Sequence, residues 1–215
     1  MGAERNVAVG RSRSLRVRIS VAFVAAASLL ALTLLVDKHR VADREVDVDR
    51  WFNDAPAWVA HALWPVMQLG LVWAPIVVGL VAAWFYGWRR GLAVVVAGLA
   101  GWFLAKQVKH LVERGRPLRY IPDVNVREGA GTGLGFVSGH TTIAFAMATV
   151  LAPVLPRWGR VVAFALATLV GVARVVYGAH LPLDVVGGAC LGIVIGCVVD
   201  LVLLALPLSR NEERA

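Results

Sequence analysis

The sequence predicts an all-α membrane protein that crosses the bilayer six times. Hydrophobic residues make up 59% of the 215 residues and charged residues only 17%, and the mean hydropathy of +0.70 lies well above that of a water-soluble domain. Six apolar runs each approach the length that a bilayer core requires. They cover residues 17–36, 64–86, 91–112, 138–155, 161–177 and 183–206. We therefore expect one membrane domain, residues 1–215, built as a helical bundle.

The first apolar run follows a basic N-terminus, residues 1–18, which carries five arginines. A signal peptide has the same order of charged and apolar residues, but its apolar core is shorter than this run of about 20 residues. No small-residue cleavage motif follows Val36. We therefore predict a retained transmembrane helix.

The polarity of the connecting segments predicts their structure. Residues 37–54 mix acids with bases and indicate a solvated loop. Residues 51–63 place tryptophans among polar residues, which is typical of a helix at the membrane interface. Residues 113–137 are polar and rich in glycine, so we expect a flexible loop long enough to act as a lid over a site.

The distribution of arginines predicts the orientation of the six helices. The basic N-terminus, the pair Arg89 and Arg90, and the pair Arg157 and Arg160 all fall on one side, and an excess of such charges marks the cytoplasmic side. Both termini are then cytoplasmic, and the loop of residues 113–137 lies outside. We expect a multi-pass protein of the plasma membrane, which is the inner membrane in a bacterium.

The net charge of +8 at pH 7 does not indicate a nucleic-acid-binding protein. The charges are scattered between apolar runs and form no continuous basic face. The acids near the outer ends of the runs also lack the spacing of metal ligands. These acids are Glu113, Asp123, Glu128 and Asp184. The sequence therefore predicts neither a metal nor another cofactor.

Three short polar motifs lie at the outer ends of apolar runs. They are Lys109-His-Leu-Val-Glu-Arg-Gly-Arg116-Pro117, then Ser138-Gly139-His140, then Arg174-Val-Val-Tyr-Gly-Ala-His180-Leu-Pro-Leu-Asp184. Three cations, two histidines and a hydroxyl at a membrane boundary suit a dense anion such as phosphate. We expect Gly115 to end the third helix and Ser138 to cap the fourth, whose free amides would also bind phosphate.

The second histidine of these motifs has a carboxylate four residues away. If Asp184 accepts a hydrogen bond from one ring nitrogen of His180, the other nitrogen is left as a nucleophile of fixed tautomer. His140 can then act as the general acid that protonates the leaving alkoxide. Without metal ligands, the inventory of side chains permits phosphoryl transfer through a phosphohistidine.

The pattern K-x6-R-P, S-G-H and R-x5-H-x3-D resembles the type 2 phosphatidic acid phosphatase (PAP2) superfamily. The resemblance implies a six-helix bundle, a phosphate bound by Lys109, Arg116 and Arg174 with help from Ser138 and the Gly139 amide, and His140 as the acid. It also implies that His180 is the nucleophile and Asp184 its orienting partner. Two positions depart from the family pattern, since Val137 replaces a common proline and Ala173 a common serine.

The first functional hypothesis is a lipid phosphatase that acts at the outer leaflet among membrane lipids. Undecaprenyl diphosphate, phosphatidic acid and phosphatidylglycerol phosphate are the substrates that the resemblance implies. A lipid-linked phosphotransferase and a transporter or binding protein that does not hydrolyse are the alternatives. Asp200, inside the sixth run, is expected to bind a neighbouring helix or to relay protons. Glycines 188, 192 and 196 form a packing stripe, used either within the chain or in a homodimer.

Overall fold

A computed structural model describes residues 2–128 and 131–205, which fold into α-helices joined by turns and loops. The expected end of the last membrane run, at residue 206, lies outside these residues. No β-strand occurs within the two described ranges. The helices are α1 (Gly2–Leu35), α2 (Asp43–Asn53), α3 (Ala57–Met67), α4 (Ala74–Tyr86), α5 (Trp88–Val112), α6 (Gly139–Leu151), α7 (Arg157–Val176) and α8 (Pro182–Ala205).

Helix α6 is the centre of the bundle, and α5, α7 and α8 pack around it. Its contact with α8 depends on the glycine stripe, because a Cβ at Gly188 or Gly192 would lie within 2.6 Å of a backbone oxygen of the α6 segment. A Cβ at Gly196 would meet the side chain of Thr149 in the same way. The stripe therefore packs within the chain, as one of the two alternatives predicted, and gives no support to a homodimer.

Large apolar side chains cover the outside of the bundle. Phe23 on α1, Trp84 on α4, Phe103 on α5 and Val162 on α7 are all more than half exposed. A water-soluble protein rarely exposes so much contiguous apolar surface. Together with the apolar helices, this surface is that of a multi-pass membrane protein.

Four helical segments are long and apolar enough to cross a bilayer: Leu15–Leu35, Trp88–Val112, Arg157–Val176 and Pro182–Leu203. A fifth span results if the bent pair Ala57–Gly70 and Ala74–Tyr86 is counted as one. Helix α6 has 13 residues, which extend over about 20 Å, shorter than a typical hydrocarbon core. The all-α prediction is confirmed. Of the six predicted transmembrane helices, the described residues support four or five.

The prediction of one continuous helix over residues 64–86 is wrong. Its first residues belong to α3, a 3-10 turn follows at Gln68–Gly70, and α4 begins only at Ala74. The two helical parts meet at an angle of 71°. Pro75 sits in the first turn of α4, where its missing N–H is tolerated, so this proline begins a helix and does not lie within one.

The predicted solvated loop of residues 37–54 is also wrong, because Asp43–Asn53 form α2. The expected interfacial helix of residues 51–63 is divided between α2 and α3. Helix α2 buries Glu45, Asp49 and Asn53 and exposes Val48 and Trp51. The three polar residues recur every four positions and therefore share one face of the helix, which is turned towards the protein.

The loop of residues 113–137 is tied down in its described part. Helix α5 ends at Glu113 in a left-handed conformation (φ 56°), two residues before the expected break at Gly115. An isolated antiparallel bridge joins Gly115 to Leu134. The amide of Asn125 donates to the Asn53 side chain on α2 (2.7 Å), and the amide of Arg127 donates to the Tyr177 carbonyl (3.1 Å).

Asp200 binds neighbouring helices at the end of the bundle away from these motifs. Its carboxylate contacts Arg18 of α1 (2.5 Å) and Arg90 of α5 (2.6 Å). Arg160 and Arg18 line one cavity of about 540 Å³ with Asp200. The structure thus shows an inter-helix partner at Asp200, and it gathers arginines from three predicted cytoplasmic segments at one end.

Candidate active site

All eight residues that the sequence predicted for the site lie at the other end of the bundle. Lys109 is in the last turn of α5, Arg116 in the following loop, and Arg174 in the last turn of α7. Ser138, Gly139 and His140 form the start of α6, and His180 and Asp184 flank the start of α8. His180 lies within electrostatic reach of Lys109, Arg116, Arg174 and His140. The structure thus brings the three motifs together.

His180 lies in a tight turn between α7 and α8. Gly178 has a left-handed backbone (φ 65°), which glycine adopts without strain. The amides of Ala179 and His180 both donate to the Arg174 carbonyl, at 3.0 and 3.2 Å. The nucleophile candidate is therefore fixed to the backbone of one of the phosphate-binding candidates.

The Asp184 carboxylate faces the His180 ring. The Nδ1 atom of His180 is 3.4 Å from Oδ2 of Asp184, and the same oxygen accepts a hydrogen bond from the Leu181 amide at 3.0 Å. Pro182 is the first residue of α8. With Nδ1 turned to the carboxylate, Nε2 is the nitrogen left for a reaction.

Burial holds the pKa of His180 well below its ordinary value of 6.5, and the nearby cations Lys109, Arg174 and Arg116 lower it further. A histidine with a depressed pKa is neutral at pH 7. A neutral imidazole retains a nitrogen lone pair, which a nucleophile requires.

The cations of the site keep hydrogen-bond donors for an anion. Lys109 donates to the carbonyls of Leu134 (3.0 Å) and Gly135 (2.9 Å), which leaves the third N–H of its ammonium group. Arg174 is 7% exposed, and one of its terminal nitrogens contacts the Met67 sulfur at 3.2 Å. The Nε atom of Arg174 has no hydrogen-bond partner among the described residues. A buried donor of this kind suits an anionic ligand.

The N-terminus of α6 provides backbone donors beside these cations. Ser138 occupies the predicted N-cap position but makes no side-chain capping bond. Its hydroxyl instead accepts a hydrogen bond from the Thr141 hydroxyl (2.9 Å), and its amide donates to the Asp184 carbonyl (2.8 Å). A Cβ at Gly139 would meet only Ala105, at 3.9 Å, so a ligand can approach this amide closely.

Helix α3 and its 3-10 turn complete the site from the side. Met67 touches Arg174, and a Cβ at Gly70 would lie 2.6 Å from the Cβ of His140. Only glycine therefore allows the turn to approach the acid candidate this closely. The bend between α3 and α4 places this turn against the start of α6.

Two buried residues near Asp184, Arg114 and Glu45, were not predicted from the sequence. Arg114 lies 1% exposed between Glu45 and Asp184, with ion-pair distances of 2.6 and 2.9 Å. Arg114 lies inside the first motif. The four-residue period of Glu45, Asp49 and Asn53 could have indicated a buried polar helix face.

The described residues contain no group of three or more histidine, cysteine, aspartate or glutamate side chains placed to hold a metal ion. The cations, amides and histidines of the site instead form a set suited to an oxyanion. The residues thus define a helical membrane protein with a polar oxyanion site at one end of the bundle.

The chain belongs to the PAP2 superfamily, whose family model matches residues 86–204. It is 30% identical over 122 residues to an undecaprenyl-diphosphatase of Sulfolobus acidocaldarius, which is 56% of this chain and 58% of that protein. The chain thus aligns with little more than half the length of that curated relative.

Two solved structures share the fold. The crystal structure of LpxE from Aquifex aeolicus has a TM-score of 0.68 at 24% identity and covers 80% of this chain and 100% of that one. The first transmembrane PAP2 type phosphatidylglycerolphosphate phosphatase from Bacillus subtilis has a TM-score of 0.73 at 21% identity, with 88% of this chain and 98% of that one covered.

Proposed function

We propose that the protein is an integral-membrane lipid phosphatase that hydrolyses a phosphate monoester or diphosphate of a lipid through a phosphohistidine, with no metal. One observation carries the proposal: the buried His180 ring faces the Asp184 carboxylate at 3.4 Å and lies within electrostatic reach of three cations. That arrangement provides a nucleophile and an anion-binding site at one point. Membership of the PAP2 superfamily supports the same chemistry.

In the proposed reaction, Lys109, Arg116 and Arg174 bind the phosphate, together with Ser138 and the Gly139 amide. The Nε2 atom of His180 forms a bond to phosphorus while the bond from phosphorus to the lipid oxygen breaks. Burial and the nearby cations lower the pKa of His140 to about 3 in the free site, so His140 takes up a proton when the anionic phosphate binds. It then gives this proton to the lipid oxygen. Water then attacks phosphorus, the bond from nitrogen to phosphorus breaks, and His140 takes up a proton from the water. The cations stabilise the charge that develops on the phosphoryl oxygens.

The proposed substrate is a lipid of the undecaprenyl diphosphate, phosphatidic acid or phosphatidylglycerol phosphate class. The names of the relatives support this range, and the exposed apolar surface of the bundle suits a lipid tail. A cavity of about 410 Å³ beside the site is lined by Arg116 and Arg119. A second arginine next to a phosphate-binding one favours substrates with two phosphates.

We propose a six-span topology with cytoplasmic termini and a site on the extracytoplasmic side of the plasma membrane, the inner membrane in a bacterium. The bent pair α3–α4 and the short α6 would then each complete a crossing. The arginines gathered around Asp200, at the end away from the site, support this orientation by the positive-inside rule. The loop of residues 113–137 would be the outer active-site loop of this single domain.

The test is phosphate release by purified protein in detergent from a panel of lipid monophosphates and prenyl diphosphates, with and without a chelator. We expect release from at least one lipid, unchanged activity in chelator, and a loss of at least about 100-fold in His180→Ala. His110→Ala is the matched control, since His110 is exposed and its side chain makes no hydrogen bond or ion pair with another described residue.

Release that survives His180→Ala would contradict the phosphohistidine step. Binding of lipid phosphate without release by the unaltered protein would indicate the transporter or binding alternative. A new phosphorylated product after addition of an alcohol acceptor would indicate a phosphotransferase.

A further inference from the structure

Arg114 bridges two buried carboxylates that come from different helices. One of its terminal nitrogens donates to Oδ1 of Asp184 (2.9 Å) and to Oε1 of Glu45 (3.2 Å), and the other donates to Oε2 of Glu45 (2.6 Å). Glu45 is 8% exposed and Asp184 is fully buried. The guanidinium group thus joins α2 to the first turn of α8.

Glu45 holds the same turn by a second route. Its Oε1 atom accepts a hydrogen bond from the Leu183 amide at 3.0 Å, one residue before Asp184. The carbonyl of Arg114 accepts from the Gly135 amide at 2.7 Å, which fixes Arg114 to the strand-like part of the loop. Glu45 of α2 therefore holds the backbone of this turn, and Arg114 of the loop holds the Asp184 side chain.

The bridge divides the two oxygens of Asp184 between different tasks. Oδ1 is bound to Arg114, while Oδ2 faces Nδ1 of His180 and the Leu181 amide. An ionised carboxylate can only accept hydrogen bonds, so it requires the ring proton on Nδ1. A protonated Asp184 could donate to Nδ1 and would shift the ring proton to Nε2, the atom that must attack.

A buried carboxylate keeps its charge only with a partner. Asp184 interacts electrostatically with charged and titratable groups from every element around it. They are Arg114 and Arg116 of the loop, Glu45 and Asp49 of α2, Lys109 of α5, and His180 of the preceding turn. Among the described residues, Arg114 is the cation in direct contact with Asp184. The charges of Arg114, Glu45 and Asp184 sum to one negative charge, which favours positive charge on the His180 ring as it attacks.

We infer that Arg114 and Glu45 are positioning residues that keep Asp184 ionised and oriented, and thereby hold the ring proton of His180 on Nδ1. The inference rests on the proposed function. Neither residue touches the phosphate in this arrangement, and both act through Asp184.

The kinetic test uses Arg114→Met, Arg114→Lys and Glu45→Gln on the lipid that the unaltered protein hydrolyses. We expect Arg114→Met to lower kcat by about 100-fold. The general acid and the nucleophile remain in this variant, but the His180 ring no longer keeps its proton on Nδ1. KM should change less than about threefold, and Arg114→Lys should recover part of kcat. Arg50→Met and Glu113→Gln, which alter exposed ion pairs, are the controls.

The pH profile separates positioning from a purely structural role. Loss of the cation next to Asp184 favours its protonated form, so the ionised form is reached only at higher pH. The acidic limb of kcat/KM should therefore move to higher pH in Arg114→Met and remain in place in the controls. A loss of activity with an unmoved limb and a lowered melting temperature would overturn the inference.

Nitrogen NMR of ¹⁵N-histidine protein in nanodiscs tests the inference even without activity. The His180 signals are identified by their absence in His180→Ala. We expect the Nδ1-protonated tautomer in the unaltered protein and a shift towards the Nε2-protonated tautomer in Arg114→Met. An unchanged tautomer would overturn the inference, whereas absence of phosphate release by the unaltered protein would overturn only the proposed function.

Discussion

Asp49 is a buried acid with no hydrogen-bond partner among the described residues. Both of its carboxylate oxygens are enclosed, and the side chain lies on the inner face of α2, one turn after Glu45. Burial raises the pKa of Asp49 from 3.8 to about 7, and the charges of Glu45, Asp184 and Asp54 contribute to the increase. Asp49 is therefore largely protonated below pH 7 in the folded protein.

Asp49 makes stability depend on pH. Because its pKa in the folded protein lies above the ordinary value, the folded state binds the proton more tightly than the unfolded chain. The contribution of Asp49 to the free energy of unfolding is then most favourable below about pH 4 and falls as the pH rises through about 7. We expect Asp49→Asn to raise the melting temperature at pH 8 by at least about 3 °C relative to the unaltered protein, with little effect at pH 4.5.

Differential scanning fluorimetry in detergent over this pH range provides the measurement. Asp47→Asn is the control, since Asp47 lies on the exposed face of the same helix. An equal effect of Asp49→Asn at both pH values would show that the carboxyl group does not titrate in this window.

At the scale of elements, α2 and the α3–α4 bend position the chemistry of the bundle. Helix α2 buries Glu45 and Asp49, whereas its exposed face carries Val48 and Trp51 together with the charged residues Asp47 and Arg50. The buried polar face of α2 lets Glu45 bind both Arg114 and the Leu183 amide. The 3-10 turn after α3 approaches His140 through Gly70.

A side chain at Gly70 should displace the start of α6. A Cβ there would lie 2.6 Å from the Cβ of His140 and 2.9 Å from its Cα, and backbone atoms cannot yield as a flexible side chain can. We expect Gly70→Ala to lower kcat at least about tenfold, since small displacements of reacting groups reduce rates strongly.

Phosphate release and thermal unfolding measured together check this expectation. Gly101→Ala is the matched control, because a Cβ at this helical position would have its contacts at 3.3 to 3.6 Å. Gly70→Ala protein with full activity would show that the turn can move away from His140 without consequence.

At the scale of the whole molecule, the two ends of the bundle carry different charge arrangements. One end holds cations whose donors are available to an anion. The other holds Asp200, 2% exposed, between Arg18 of α1 and Arg90 of α5. Arg90 also donates to the Val150 carbonyl at 2.7 Å, so this contact joins α1, α5, α6 and α8.

Removing the Asp200 charge should destabilise the bundle without altering the site. Asp200→Asn leaves two partly buried arginines without their carboxylate, at a cost of up to about 3 kcal/mol. We expect the melting temperature to fall by roughly 10 °C while KM stays unchanged. Asp123→Asn, which breaks the exposed pair with Arg50, should have no measurable effect. A lowered melting temperature together with a changed KM would show that the two ends are coupled.

The sequence was sufficient to predict the helical class, most helix positions and the residues that gather at the site. Hydrophobic runs report burial in lipid, and ordered motifs such as Arg174 to Asp184 report chemistry. The bend in residues 64–86 was not predictable from hydropathy, because the run is apolar on both sides of the turn at Gln68–Gly70. Helix α2 was missed because its mixed charges match a solvated loop, and only the bundle reveals which of its faces is inside.

Met67 and Gly70 lie within a single turn of each other, and they touch Arg174 and His140 respectively. One short segment therefore supports both Arg174, which would bind the headgroup phosphate, and His140, which would protonate the departing lipid alcohol. Substrate preference and turnover are not separable properties at this segment. Efforts to redesign the protein for another lipid should leave residues 67–70 intact and vary Leu118, Arg119 and residues 131–134, which line the cavity beside the site.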